Sequence, residues 1–186
     1  RIHDLHMLFP SISRPEHLDL FEGGIASQVD FAFSGQQSAR TAQLVEDGTM
    51  QVGAIHTSLE LYSRMFLDPA PRVSLVAAVS ADKDGNLFTG PNTEDTPTIS
   101  EATAYRSGIV IAQVNEIVDS LPRVDIPGSW VDFVVEADKP FEVEALFTRD
   151  PRQLTDVHVL LAMLTIRGVY EKHQVTSLNH GVGLDT

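Results

Sequence analysis

Short apolar runs alternate with helical patterns along most of this chain, and each change of period is marked by glycine, proline or a capping residue. Ile2, Leu5, Met7, Leu8 and Phe9 form a first strand ending at Pro10, and Ser13-Arg14-Pro15-Glu16 then opens a helix with Pro15 at its first position. Leu18, Leu20 and Phe21 lie on one side of that helix, and Gly23-Gly24 stops it. Val29 to Phe33 is a β-type run, Ser38 to Val45 a helix closed by Asp47-Gly48, and Met50 to Ile55 the next strand. Thr57, with Glu60 three places on, makes a capping box that starts a helix through Tyr62, Met65 and Phe66. His56 therefore stands at a strand C-terminus beside a helix N-terminus.

Val73 to Val79 is a continuous apolar run of the kind found in strands covered on both faces. Asp82-Lys83-Asp84-Gly85-Asn86 has Asp-Gly turn chemistry and returns the chain as Leu87-Phe88; it lacks the loop length and terminal glutamate of a calcium site. Thr96-Pro97 supplies an N-cap and a proline at N1, Ser100 to Arg106 is helical, and Gly108 ends that helix. Ile109 to Val114 is a buried strand that delivers Asn115 and Glu116 at its exit. Leu121 to Pro127 is an extended connection, and Trp130 to Val135 a strand with Trp130 as a core or rim anchor. Ala137-Asp138-Lys139-Pro140 reads as a linker, and Asp150-Pro151 begins a helix with Leu154, Val157, Leu160, Leu161, Leu164 and Val169 at helical spacing up to Tyr170. Val175 to Leu178 is a last strand, entering the glycine turn Asn179-His180-Gly181-Val182-Gly183.

Strands and helices in this alternation predict an α/β fold: an open, mostly parallel sheet with flanking helices. Ligands of such sheets sit at the C-terminal ends of the strands. That rule selects Asn92, Glu94 and Asp95 in the Gly90–Pro97 stretch, together with Asn115, Glu116 and His56. The same residues also suit capping and turning, and spacing leaves both readings open. His56 can bind an anion or hydrogen-bond a carbonyl. Gly181 and Gly183 let backbone amides approach an anionic or carbonyl oxygen, but no third glycine of a dinucleotide fingerprint, no Walker sequence and no Gly-x-Ser-x-Gly elbow is present. His158 and His173 have no partner at metal-ligand spacing.

Composition narrows the partners. Thirteen Lys and Arg against 26 Asp and Glu give a formal charge of −13, which argues against nucleic acid and anionic membrane surfaces. There are no cysteines, so disulfides, thiolate metal sites and a cysteine nucleophile are excluded. No apolar run approaches the roughly 18 residues of a membrane span and no signal segment opens the chain, so a cytoplasmic protein is expected. Arg1 at the start and a glycine loop at the end suggest a piece of a longer polypeptide.

Asp84-Gly85-Asn86-Leu87, the polar loop and alanine-rich helix after it, Ile111 to Val118 and Ile126-Pro127-Gly128 to Asp132 together resemble the end of the first half of coenzyme A transferases. Gly35 through Glu46-Asp47-Gly48 to His56-Thr57-Ser58-Leu59 resembles another segment of that superfamily, and Asn179 to Gly183 its Asn-x-Gly-x-Gly loop, which opens the second half. Within the superfamily the wording is most similar to malonate decarboxylase alpha subunits, through Arg14 to Phe21, Gly53 to Thr57, Gly90 to Pro97 and Leu178 to Gly181. The resemblance implies a coenzyme A transferase-like domain over 1–138, with 139–186 as linker and opening of a second such domain.

It also implies an acyl-carrier-protein transferase that exchanges acetyl for malonyl on a carrier's thioester arm, releasing acetate, with other decarboxylase subunits as partners. The resemblance implies no permanently bound cofactor, with the thioester of a coenzyme A-like arm as substrate. A glutamate carboxylate attacks the thioester, and it is expected downstream of Thr186. Asn179 matches the loop asparagine near that glutamate, and His56 stands where many relatives have glutamine. That departure keeps a donor and can add a positive charge suited to a dicarboxylate. The expected substrate-binding set is His56, Asn92, Glu94, Asn179, Gly181 and Gly183, with Arg149 and Arg152 as a docking spot for the acidic carrier. A citrate lyase alpha subunit, another coenzyme A transferase, or a non-catalytic module binding carrier protein or a subunit are the alternatives.

Overall fold

β1 (Leu5–Ser11), β2 (Ala26–Phe33) and β3 (Gln51–Ile55) pair side by side in chain order as a parallel sheet in the computed structural model, which describes residues 2–90, 95–140 and 154–178. Alternation along these strands sends Met7, Phe9, Val29, Phe31 and Val52 toward helices α1 (Pro15–Glu22) and α2 (Ser38–Glu46), where they close a core with Leu18, Phe21, Leu44 and Met50. The opposite face carries Leu8 and Ala32, against which α3 (Ser58–Met65) buries Leu61 and Met65. Pro15 occupies the first turn of α1 as expected, and Gly23 caps its C-terminus. β1 continues through Pro10 to Ser11 because it is an edge strand, where a missing N–H can face away from the ladder.

A second sheet has the order β5-β4-β6-β7, formed by β4 (Val73–Asp82), β5 (Leu87–Phe88), β6 (Ile109–Val118) and β7 (Phe133–Glu136). β4, β6 and β7 are parallel, and only the hairpin strand β5 runs the other way. The parallel architecture is thus as expected, but divided between two sheets. The Asp82–Asn86 turn forms as its sequence implies, with Asp82 Oδ1 accepting from the amides of Asp84 and Asn86 at 3.0 and 2.9 Å. Helix α4 (Thr96–Tyr105) packs on the second sheet, and Val76, Ala78, Val110, Ala112 and Val114 form the core beneath. Ala102 of α4 also meets Leu61 and Met65, so α3 and α4 share a small apolar seam.

Several boundaries differ from expectation, each for a local reason. The N-cap of α4 is Asp95, not Thr96, which puts Thr96 at N1 and Pro97 in the same first turn. β4 is buried on one face only among the described residues: Ser74, Val76, Ala78 and Ser80 point inward while Val73, Leu75 and Ala77 are exposed. Small side chains on that inner face allow α4 to approach closely. β6 runs on to Val118, so Asn115 and Glu116 lie within the strand, Glu116 in register with Ser80, rather than at its exit. Trp130 ends a short 3₁₀ turn (Gly128–Trp130) ahead of β7 and packs on the second core as an anchor.

Contacts divide the chain into two units, Arg1–Phe141 and Glu142–Thr186. Both sheets belong to the first. In the second, α5 (Asp156–Thr165) continues through wider π-type turns over Ile166–Glu171. His158 accepts a hydrogen bond from the backbone of Thr155 at 3.0 Å, an N-terminal capping contact. His173 is exposed, and Val175 to Leu178 is not a strand: the Val175 amide turns back to Tyr170 O at 2.9 Å. The proposed helix start at Asp150-Pro151 lies outside the described residues.

Candidate functional site

The junction between β3 and α3 is built around Asp30. This aspartate sits in the middle of β2, on the face opposite Val29 and Phe31, and is only 5% exposed. Its Oδ2 accepts from His56 Nε2 at 3.0 Å, while Oδ1 accepts from His6 Nε2 at 3.0 Å and from the Ala54 amide at 3.2 Å. Three strands therefore converge on one carboxylate: His6 comes from β1 and Ala54 from β3. Burial by itself would push the Asp30 carboxyl up, but hydrogen bonds and charge from His56 and His6 outweigh it and hold the group below the usual carboxylate value.

Local backbone shape makes this possible. The β2–β3 register shifts between Val29 and Asp30, which face Val52 and Ala54, so Gly53 is the extra residue of an irregular pairing. A side chain at Gly53 would overlap the space of Asp30 and of Gln28.

His56 follows directly. Its backbone amide donates to Phe31 O at 2.9 Å, prolonging the pairing by one residue, and its ring is buried beside Asp30. The imidazole thus meets a carboxylate and not the backbone carbonyl that its sequence position also allowed. Thr57 then caps α3, its Oγ1 accepting from the Glu60 amide at 3.2 Å. Only this half of the expected capping box is present: Glu60 Oε1 instead stands 3.7 Å from His56 Nδ1 and 3.8 Å from Arg64 Nε. Both separations exceed hydrogen-bond range, so the Glu60 carboxylate is held loosely.

A second set of contacts fixes the approaches to residues 91–94. Thr89, fully buried, donates from both its amide and its hydroxyl to Asp125 Oδ2, at 2.9 and 3.0 Å. Arg123 binds Asp125 Oδ1 at 2.6 Å, donates to Gly90 O at 2.8 Å and stacks over Phe88 at 4.9 Å. Burial would raise the Asp125 carboxyl, but Arg123 and Thr89 draw it below its ordinary value. Gly90 has φ +76°, and a Cβ there would lie 2.6 Å from Val79 Cγ2, so glycine is required. On the far side, the Asp95 carboxylate accepts a hydrogen bond from the Tyr62 hydroxyl of α3, and burial raises its pKa.

Of the residues selected from sequence, His56 directly precedes the N-cap of α3, and Asp95 is the N-cap of α4 and accepts from Tyr62 of α3. Asn115 and Glu116 belong to β6, in the second sheet. Asn92, Glu94, Asn179, Gly181 and Gly183, with Arg149 and Arg152, lie outside the described residues. Sequence reasoning missed Asp30, His6, Tyr62, Arg123 and Asp125. One signal pointed to Asp30: a charged residue in the centre of an apolar strand, where aspartate is disfavoured. Chemically, the cluster offers an imidazole clamped by a buried carboxylate, suited to orienting a polar substrate group. Among the described residues no group of three or more His, Cys, Asp or Glu could hold a metal ion.

The family model described as "Malonate decarboxylase, alpha subunit, transporter" matches residues 1–186. A curated relative, the acetyl-S-ACP:malonate ACP transferase of Malonomonas rubra, is 54% identical over 186 residues, which is 100% of this chain and 34% of the relative. Among solved structures, a Pseudomonas malonate decarboxylase hetero-tetramer in complex with malonate matches with TM-score 0.83 and 62% identity, covering 99% of this chain and 34% of that one. An acyl-CoA transferase apoenzyme from Escherichia coli O157:H7 matches with TM-score 0.63 and 18% identity over 100% of this chain and 48% of its own, a likeness of fold alone. The chain spans about a third of the length of the curated relative.

Proposed function

This chain belongs to the malonate decarboxylase alpha-subunit family, and from that membership we propose that it is part of a transferase exchanging acetyl for malonyl on an acyl carrier protein. The observation that carries the reading is identity of 54% along the whole chain to an acetyl-S-ACP:malonate ACP transferase. Residues 1–138 are the first coenzyme A transferase-like domain, and 139–186 the linker and opening of the second.

In this reading malonate and the acetylated thioester arm are substrates, and acetate and the malonyl thioester are products. No cofactor is held permanently. A glutamate downstream of Thr186 attacks the thioester carbonyl and expels the arm's thiolate, forming an acyl anhydride on the glutamate. The residues of this chain bind and orient. His56, fixed by Asp30, receives a substrate carboxylate; Asn92, Glu94, Asn179, Gly181 and Gly183 complete the binding set. The carrier protein docks at a local basic spot that includes Arg149 and Arg152, and further decarboxylase subunits assemble with the chain. The setting is cytoplasmic, a reading supported by the absence, among the described residues, of any helix long and apolar enough to cross a membrane.

The test is malonyl transfer onto acetylated carrier protein by the full-length polypeptide, with malonate, citrate or acetate offered. Malonate-dependent transfer that falls in His56→Ala and Asn179→Ala supports the reading. Preference for citrate overturns the substrate, and carrier binding without any transfer leaves a binding module.

A further inference from the structure

We infer that Asp30 is a positioning residue for the transfer site, holding the His56 ring so that Nδ1 is the atom turned toward substrate. The inference rests on the reading of His56 as a substrate contact.

An ionised carboxylate only accepts, so the Asp30–His56 contact at 3.0 Å places a proton on His56 Nε2. Nδ1 is left as the second ring nitrogen, and an incoming carboxylate meets the ring through Nδ1–H, on the side away from Asp30. Glu60 marks that direction: its half-exposed carboxylate already stands 3.7 Å from Nδ1, loosely enough to be exchanged for a substrate group.

Two further observations show a pocket shaped for the carboxylate of Asp30. Gly53 has no side chain where a Cβ would fall 2.1 Å from Asp30 Oδ1. The register shift opposite Val29 and Asp30 turns the Ala54 amide onto the same oxygen at 3.2 Å. With Oδ1 held by Ala54 and by His6, Oδ2 has a fixed direction, and the His56 ring inherits it. The logic is that of a carboxylate behind an imidazole, which fixes the orientation of the ring without itself touching substrate.

The experiment uses the full-length transferase, with malonate as the varied acceptor and acetylated carrier protein held constant. Asp30→Asn is expected to raise KM for malonate at least about tenfold, with a smaller change in kcat. Made in a His56→Gln background, the same substitution should add less than about twofold, because Asp30 acts through His56. An equal rise of KM in both backgrounds overturns the inference by making Asp30 a general support of the sheet. Should His56→Gln alone leave KM unchanged while transfer persists, the assignment of His56 is the part that fails, and Asp30 falls with it. If Asp30→Asn does not fold, as judged by its melting curve, Gly53→Ala displaces Oδ1 while keeping the carboxylate; no rise of KM there overturns the inference too.

Discussion

Gly53 and Asp30 occupy adjoining strands so closely that a Cβ on Gly53 would lie 2.1 Å from Asp30 Oδ1 and 2.6 Å from Gln28 Nε2. Relief would require the carboxylate to leave its three donors. Gly53→Ala is therefore expected to destabilise the first unit by about 1–3 kcal/mol, the usual cost of forcing volume into a packed site. Urea unfolding measures it, and a change within a few tenths would show that the pocket relaxes freely.

Thr57 is the sole side-chain cap seen on α3, since Glu60 does not reach back to it. Thr57→Ala should cost about 1 kcal/mol. Glu60→Ala, at an exposed and loosely paired position, should cost less than about 0.5 kcal/mol. Denaturant midpoints of the two variants provide the comparison.

The amide and hydroxyl of buried Thr89 both depend on Asp125 Oδ2. Asp125→Ala orphans these donors and also frees Arg123, which otherwise holds the Gly90 carbonyl. A loss of about 1–3 kcal/mol is expected from the unsatisfied buried groups. Thr89→Val, which removes one hydroxyl and leaves the carboxylate partnered by Arg123, should cost less.

Acid stability follows from Asp30 and Asp125, whose folded pKa values lie below the ordinary 3.8. A depressed carboxyl binds its proton less readily when folded, so its stabilisation is complete above about 3.9 and disappears as pH falls through the lower folded value. Unfolding free energy measured from pH 7 down to pH 2 should drop on that limb, and the drop should be shallower in Asp30→Asn. An identical limb in wild type and variant would show that Asp30 is not a source of the acid sensitivity.

Asp95 has the opposite sign. Burial raises its pKa above 3.8, so the folded state holds that proton more tightly, and the associated stabilisation is present below 3.8 and lost as pH rises through the folded value. Asp95→Asn keeps an acceptor for Tyr62 and carries no charge to desolvate. Its stability relative to wild type should therefore improve between pH 3 and pH 7. A constant difference across that interval would show that desolvation of Asp95 is not felt.

Much of this architecture was legible in the residues. Pro15 at a helix start, Thr57 before α3, the Asp82–Asn86 turn and the β/α alternation are local signals, each decided by the few residues involved. Boundaries moved where a distant partner intervened: Asp95, joined to Tyr62 of α3, and not Thr96, caps α4, and β6 extends through Glu116 because β4 continues alongside it.

By itself the sequence determined the order and type of most elements, the family, and the position of His56 where a strand hands over to a helix, because period, turn chemistry and motif wording are written along the chain. Only the tertiary structure decided what His56 faces. Asp30 is 26 residues away from it and His6 lies 24 residues from Asp30, and no local pattern joins residues on three separate strands. Parallel pairing with a shift at Gly53 does so, because register across a sheet sets which side chains share a face.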